Sequence, residues 1–377
     1  VCRRAFLKCL EKLPHGSLTI MENGSKIASM GNPNDDLHAT INFKDVKAYR
    51  QLLLGGSVGA GEAYMDGLWE SDNVTAVVQI FARNLSTLDA WENKFKWISM
   101  PILKIQHFAR RNTQDQAKKN IEAHYDLGNK LYTRFLDNTM MYSSAIYPDV
   151  NASLEEAQNH KLKTICDKLQ LTESDHLLEI GTGWGGLAVY AAKHYGCKVT
   201  TTTISEEQYA WAEQWIERAQ VSDKVTLLKK DYRLLEGKYD KLVSIEMIEA
   251  VGKDYLGNFF EKCSSLLKDD GLMLLQSITI DDRRYESYAS SVDFIQKYIF
   301  PGGFLPSQYQ LNAHLKRYSD MMIRDLHDIG LDYAQTLNHW YEAFVSAKEA
   351  LLNDGYDERF MRMWIYYLKY CEGGFLE

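Results

Sequence analysis

Glu179, Gly181, Gly183 and Gly185 stand at alternate positions in Glu-Ile-Gly-Thr-Gly-Trp-Gly-Gly, directly after the apolar run that starts at His176 and directly before Leu187-Ala-Val-Tyr-Ala-Ala192. This pattern predicts a strand, a tight glycine loop and the start of a helix. Glycines let a ligand approach the backbone closely, and a helix N-terminus presents N–H groups with no partner inside the helix, so the stretch can cradle a nucleotide-type ligand. Glu179, at the strand end, would meet a cation or a ribose hydroxyl. The spacing is neither the dinucleotide fingerprint nor the phosphate loop, which requires Gly-Lys-Ser/Thr. Taken alone, the same glycines also fit a simple turn.

The surrounding chain shows what positions these residues. Further β-branched or apolar runs at 198–204, 225–228, 241–245 and 272–278 alternate with helical patterns at 206–219 and 259–267. That alternation predicts an α/β fold, a doubly wound parallel sheet whose ligand sits at the carboxyl ends of the strands. Those ends carry Glu179, Thr203, Asp231 with Tyr232, Glu246 with Glu249, and Gln276. Ser153-Leu-Glu-Glu156 reads as a capping box opening a helix that runs to about Leu169. After residue 280 the pattern is helical and rich in aromatics, a C-terminal lid that could roof an apolar channel or fill a core.

The N-terminal part reads differently. Short strands at 18–20, 26–30 and 39–43, with Asn23-Gly24 as a turn, precede a helix from Lys47 to Leu54 stopped by Gly55-Gly56. Gly59 to Trp69 reads as a structured loop with a short helix, and a further helix covers 74–82. We therefore expect three parts: a small α+β domain over 1–93, a linker over 94–119 and a catalytic domain over 120–377. The linker holds seven Lys/Arg against the single acid Asp115, interleaved with Phe95, Trp97, Phe108 and aliphatic residues. Such a segment suits an anionic bilayer surface, or packs as an interdomain helix.

The net charge of −8 argues against general nucleic-acid binding. It is unevenly spread: residues 1–110 carry 13 Lys/Arg and 11 Asp/Glu, so an anionic partner is expected on the N-terminal side. The six cysteines lack metal-ligand spacing, which predicts reduced thiols and no metal site. With no apolar run long enough to span a bilayer and no leader pattern, we expect a cytoplasmic protein, peripheral at the inner face of the membrane.

Together the motifs resemble the cyclopropane-fatty-acyl-phospholipid synthases and the related mycolic acid cyclopropane synthases. The resemblance rests on Gly59–Trp69, His124-Tyr-Asp-Leu-Gly128, Tyr142-Ser-Ser-Ala145, Leu178–Gly186, Thr203–Gln208, Asp231-Tyr-Arg233, Met247–Gly252, Ile299–Gly303 and Thr336–Tyr341, and spans almost the whole chain. It implies a Rossmann-like methyltransferase that transfers the methyl of S-adenosylmethionine to a cis double bond of a phospholipid acyl chain. Tyr142, Ser143, Glu179, Gly181, Gly183, Thr203, Gln208, Asp231 and Tyr232 would then hold the cofactor, adenine lying against Tyr232. Tyr125 and Tyr142 would face the methyl and support a cation through their rings. Relatives continue past Phe375 into another strand and often pair, which points to a possible homodimer.

The resemblance also implies a bound bicarbonate as proton acceptor, cradled here by Glu249, Tyr341 and the backbone of Ile278. Two positions depart: Ser144 stands where Cys is usual, and Gln276 where His is usual. Glu246 replaces a frequent Gly and Ala250 a frequent His. Either bicarbonate is retained, or a carboxylate such as Glu246 takes its role, with a cyclopropane, methylene or methyl-branched product. Two other readings are a methyltransferase of a soluble small molecule and a non-catalytic lipid-binding homologue.

Overall fold

The computed structural model describes residues 2–88 and 127–377. The expected linker over 94–119 lies outside them. These residues form two compact units. The first contains residues 2–88, Ser291–Ile299 and Gly330–Glu377; the second contains residues 127–290 and Phe300–Ile329.

The second unit holds a five-stranded sheet of β5 (His176–Ile180), β6 (Lys198–Thr203), β7 (Val225–Lys229), β8 (Tyr239–Ile245) and β9 (Leu267–Gln276), in the order β7-β6-β5-β8-β9 and parallel throughout. The expected doubly wound sheet is therefore present. Its inner strands are apolar or β-branched, Leu177-Leu178 in β5 and Val199 with Thr200–Thr203 in β6, and these residues are buried because both faces are covered. Leu177 packs into a core with the helices Leu154–Lys168 and Gly186–Tyr195, while its neighbour Leu178 packs on the opposite face with the helix Leu256–Leu266. The capping box opening Leu154–Lys168 is formed reciprocally by Ser153 and Glu156.

The first unit holds β1 (Ser17–Glu22), β2 (Ser25–Gly31), β3 (His38–Phe43) and β4 (Trp69–Glu70), in the order β2-β1-β3-β4. Asn23 and Gly24 both take positive φ, 47° and 84°, as a two-residue hairpin turn requires. Residues 47–65 form one helix broken at Gly56 (φ 53°), so the stop expected at Gly55-Gly56 is a kink. Gly59 to Met65 is helical rather than a loop. Gly61 is needed there because a Cβ would lie 2.2 Å from the Phe294 ring.

The unit boundaries differ from the expected three-part division. Gly330–Glu377 does not cluster with the parallel sheet: the helix Glu358–Leu376 packs against Lys47–Met65 and Val74–Arg83, with Arg362 4.3 Å from the Tyr64 ring centroid. Of the aromatics in the expected lid, Trp340 and Trp364 are wholly buried, whereas Tyr309 is 67% exposed.

Candidate active site

The glycine loop after β5 is built as a cradle. Gly181, Gly183 and Gly185 have φ of 95°, 54° and 99°. A Cβ on Gly181 would touch Met247 at 3.1 Å, whereas one on Gly183 would meet nothing within 4 Å. Backbone and open space therefore meet at Gly183. Gly186, the first residue of the following helix, brings its backbone so close to the Thr139 carbonyl that a Cβ would lie 2.4 Å from it. This contact lays the segment carrying Tyr142, Ser143 and Ser144 along the helix N-terminus.

Glu179 is 3 % exposed and accepts a 2.6 Å hydrogen bond from the Thr201 hydroxyl on β6. Burial pushes its carboxyl up to about 8, with that hydrogen bond pulling the other way. The structure thus places Glu179 inside the sheet, hydrogen-bonded between strands. At the end of β6 the Thr203 hydroxyl donates to Gln208 Oε1 (3.0 Å), and the Ser205 cap holds the Gln208 backbone N–H at 3.2 Å. Beyond β7, Asp231 is gripped by Arg233 in a bidentate pair (Nε–Oδ1 3.0 Å, Nη2–Oδ2 2.8 Å). Beside it the Tyr232 ring meets Phe259 edge-on at 5.6 Å, and burial raises its hydroxyl's pKa. Sequence reasoning left Arg233 out of the site.

Tyr142 belongs to an aromatic cluster. Tyr132 lies 5.3 Å from its centroid and Phe135 6.1 Å; Phe300 stacks at 6.2 Å. Trp184, within the glycine loop, joins through Tyr132 at 4.9 Å and donates its indole N–H to Asn129 at 2.8 Å. Only Tyr142 was expected here; the spacing Asn129-x-x-Tyr132-x-x-Phe135 was a helical signal that one face of this turn is shared. Tyr125 lies outside the described residues.

A second missed residue is Lys161. It is wholly buried, and its ammonium donates a 2.6 Å hydrogen bond to the Ser143 hydroxyl. Burial lowers its pKa to about 8, opposed by the negative charges of Glu246 and Asp137. Gln158, one turn earlier, donates to the Ser143 carbonyl at 2.9 Å, while its own Oε1 is buried without a partner. Ser143 is thus held from both ends.

The ends of β8 and β9 carry the acids. Glu246 Oε1 accepts two hydrogen bonds of 2.8 Å, from the Ser144 backbone N–H and from Gln276 Nε2. The same Gln276 amide also reaches the Ser144 carbonyl at 3.2 Å. The Ser144 hydroxyl is buried and donates to the Ala145 carbonyl at 2.9 Å. Glu249 accepts from the Ile278 backbone N–H, so that donor is engaged by a protein carboxylate. Its other oxygen, Oε2, is withdrawn from solvent with no partner. Burial first, and then the charge of Glu246, raises the Glu249 pKa. The Glu249 carbonyl in turn accepts from Phe304 N–H at 2.9 Å, which docks the Phe300–Pro306 turn beside the pair. Tyr341 lies in the first unit, where Lys369 Nζ sits 3.9 Å from its ring centroid.

The open space at Gly183, the polar groups Ser143, Thr203, Gln208 and Asp231 around the strand ends, and the orphaned Gln158 acceptor fit a ligand with a polar amino-acid end and a nucleoside end. A parallel sheet with this strand order and this glycine loop has the architecture of S-adenosylmethionine-dependent methyltransferases. Comparison with known proteins narrows the class. Residues 112–377 match the family model of mycolic acid cyclopropane synthetase. Over 345 residues the chain is 39% identical to cyclopropane-fatty-acyl-phospholipid synthase of Escherichia coli strain K12, covering 91% of this chain and 86% of that protein. It is 36% identical over 333 residues to a tuberculostearic acid methyltransferase of Mycobacterium tuberculosis, covering 86% of this chain and 77% of that one. The mycolic acid cyclopropane synthase CmaA1, solved with SAH and CTAB, superposes with a TM-score of 0.65 at 28% identity, over 69% of this chain and 93% of its own. The chain belongs to the mycolic acid cyclopropane synthetase family, and is an S-adenosylmethionine-dependent methyltransferase of that kind.

Proposed function

We propose that this enzyme methylates a cis double bond in the acyl chain of a membrane phospholipid, giving a cyclopropane or a methylene or methyl-branched chain. The observation that carries the reading is the juxtaposition, in one unit, of a cofactor cradle after β5, an aromatic cluster and a half-buried carboxylate pair just after the adjacent strand β8. Each element answers a need of alkene methylation. An alkene is a weak nucleophile, so the reacting carbon must be held at an activated methyl with water excluded. S-adenosylmethionine would supply that methyl on a positively charged sulfur.

Tyr142, Ser143, Thr203, Gln208, Asp231 and Tyr232 would hold the cofactor, with the Gly181–Gly185 backbone against it. Lys161 and Gln158 fix Ser143 from below. Tyr142 and the rings around it present π faces that stabilise a developing cation. A carbocation on the lipid must then lose a proton, and bound bicarbonate or a carboxylate would accept it. The relatives include both a cyclopropane-fatty-acyl-phospholipid synthase and a tuberculostearic acid methyltransferase, which is consistent with one shared first step.

The lipid acceptor implies work at a bilayer surface. We therefore propose that the enzyme works peripherally, at the inner face; separately, among the described residues no helix is long and apolar enough to cross a membrane. The test is incubation of the purified protein with S-adenosylmethionine and vesicles of a cis-unsaturated anionic phospholipid, followed by lipid mass spectrometry. A gain of one methylene unit on the unsaturated chain supports the reading. No gain on any lipid, with methyl transfer to a soluble acceptor instead, contradicts it.

A further inference from the structure

Glu246 is the most constrained side chain of the site. Its backbone has φ 48°, the left-handed region that glycine enters freely and other residues enter only with strain. Nothing in a turn at this point demands a carboxylate, yet the side chain is seated by two hydrogen bonds of 2.8 Å, from the Ser144 N–H and Gln276 Nε2. Its own N–H donates to the Gln276 carbonyl at 2.8 Å, which locks the residue to β9. Seating of this kind, on a strained backbone and beside a second carboxylate, characterises a group kept for chemistry.

The groups around it bear on its charge. Glu249 lies close enough for the two charges to interact, and two neighbouring carboxylates resist simultaneous ionisation. Lys161, buried beneath Ser143, feels the negative charge of Glu246. Of the two carboxylates it is Glu246 whose Oε1 accepts two hydrogen bonds from neutral donors, the arrangement that favours a proton acceptor. The Ser144 N–H, the Gln276 amide and the Ile278 N–H are all already committed to these two carboxylates. These three donors, which could otherwise hold an external anion, are thus engaged by the protein's own carboxylates.

We propose that Glu246 is the built-in proton acceptor of the reaction, so that turnover requires no added small anion; this rests on the lipid-methylation reading above. The π pair of the double bond forms the bond to the methyl carbon while the C–S pair remains on sulfur. The adjacent lipid carbon is left electron-deficient. Glu246 then takes a proton from the added methyl, and the released C–H pair closes the three-membered ring; for a methylene product a hydride first moves from the methylated carbon to the electron-deficient one, and the C–H pair released from the methyl then forms the double bond to the carbon that bears it. The carboxylic acid so formed returns its proton to solvent. Atoms and charge balance with no oxidant or reductant.

The experiment compares the wild type with Glu246→Gln and Glu246→Gly, assayed on unsaturated phospholipid vesicles in buffer purged of carbon dioxide and in buffer with added bicarbonate. Thermal unfolding and S-adenosylmethionine binding are measured on each. Wild-type turnover should change less than about twofold on bicarbonate removal. Glu246→Gln should lose about 100-fold or more, the range expected for a lost general base. Glu246→Gly should unfold at the wild-type temperature or above, because the left-handed backbone is relieved, and should bind the cofactor normally yet be inactive without an added anion. Bicarbonate or formate should restore part of its turnover. Wild-type dependence on bicarbonate, or a Glu246→Gln enzyme within a few-fold of wild type, overturns the assignment of the base while leaving lipid methylation intact. No lipid product from the wild type overturns the parent reading, and this one with it.

Discussion

Replacing Lys161 with Met tests the electrostatic reading of the site's floor. The lysine is wholly buried and its pKa falls from 10.5 to about 8, so at neutral pH the fold carries an ammonium that burial disfavours. The fall corresponds to about 3 kcal/mol, already net of the attraction from Glu246 and Asp137. Between about 8 and 10.5 the unfolded chain still binds the proton that the folded chain has released, so stability contributed by this group rises with pH across that window. Met preserves the apolar stem and removes the titration. Urea unfolding of wild type and Lys161→Met, followed in steps from about pH 7 to about pH 10, isolates the group as the difference between the two curves. That difference should move by about 2 to 3 kcal/mol in favour of the wild type as pH rises. A flat difference would show that Lys161 titrates in the fold as an ordinary solvated lysine, and would remove it from the charge arrangement beneath Glu246. Cofactor binding should also weaken in Lys161→Met, because the Ser143 hydroxyl loses its 2.6 Å donor.

Other substitutions probe the remaining parts. Glu179→Gln should remove a pH dependence of the opposite sign: the buried carboxyl, raised to about 8, stabilises the fold fully below about pH 4.5 and loses this as pH rises through 8, so the variant should gain on the wild type in unfolding experiments above neutrality. Gly183→Ala should cost only about 1 kcal/mol of stability, since its Cβ meets nothing within 4 Å, yet weaken S-adenosylmethionine about tenfold or more in calorimetric titration by occupying the cradle. Gly186→Ala should destabilise by about 1 to 3 kcal/mol in denaturant unfolding, because its Cβ would sit 2.4 Å from the Thr139 carbonyl. Ser153→Ala should lose about 1 kcal/mol with the capping box and leave activity unchanged, a control for stability effects remote from the site.

The parallel sheet was legible because buried strands between two helical layers must be continuously apolar, as in Leu177-Leu178 and Leu242-Val243. The Ser153 cap and the Asn23-Gly24 turn were legible because their chemistry is local. Lys161 was not: in the pattern His160-Lys-Leu-Lys163 a lysine reads as part of a solvated face, and only the packing of the Tyr142–Ala145 segment over the helix buries it. Trp184 was hidden by the glycines on either side, which drew attention to the backbone. What the Ser144 backbone contributes is hidden for a related reason. A side chain can be read from its letter, whereas the backbone N–H that Ser144 offers Glu246 belongs to no residue type. Gly330–Glu377 was assigned to the catalytic half by continuity, and nothing in its helical periodicity could say that its apolar face fits the helices of the N-terminal strands' unit.

The central claim is that this enzyme adds a methyl-derived carbon to a lipid double bond, and the most direct test follows that carbon. With S-adenosylmethionine labelled at the methyl and a phospholipid bearing one cis double bond, mass spectrometry of the recovered lipid should show the label on the acyl chain at the former double bond, with a saturated analogue left unlabelled. Label on the headgroup, on the saturated analogue or on no lipid at all would contradict the account.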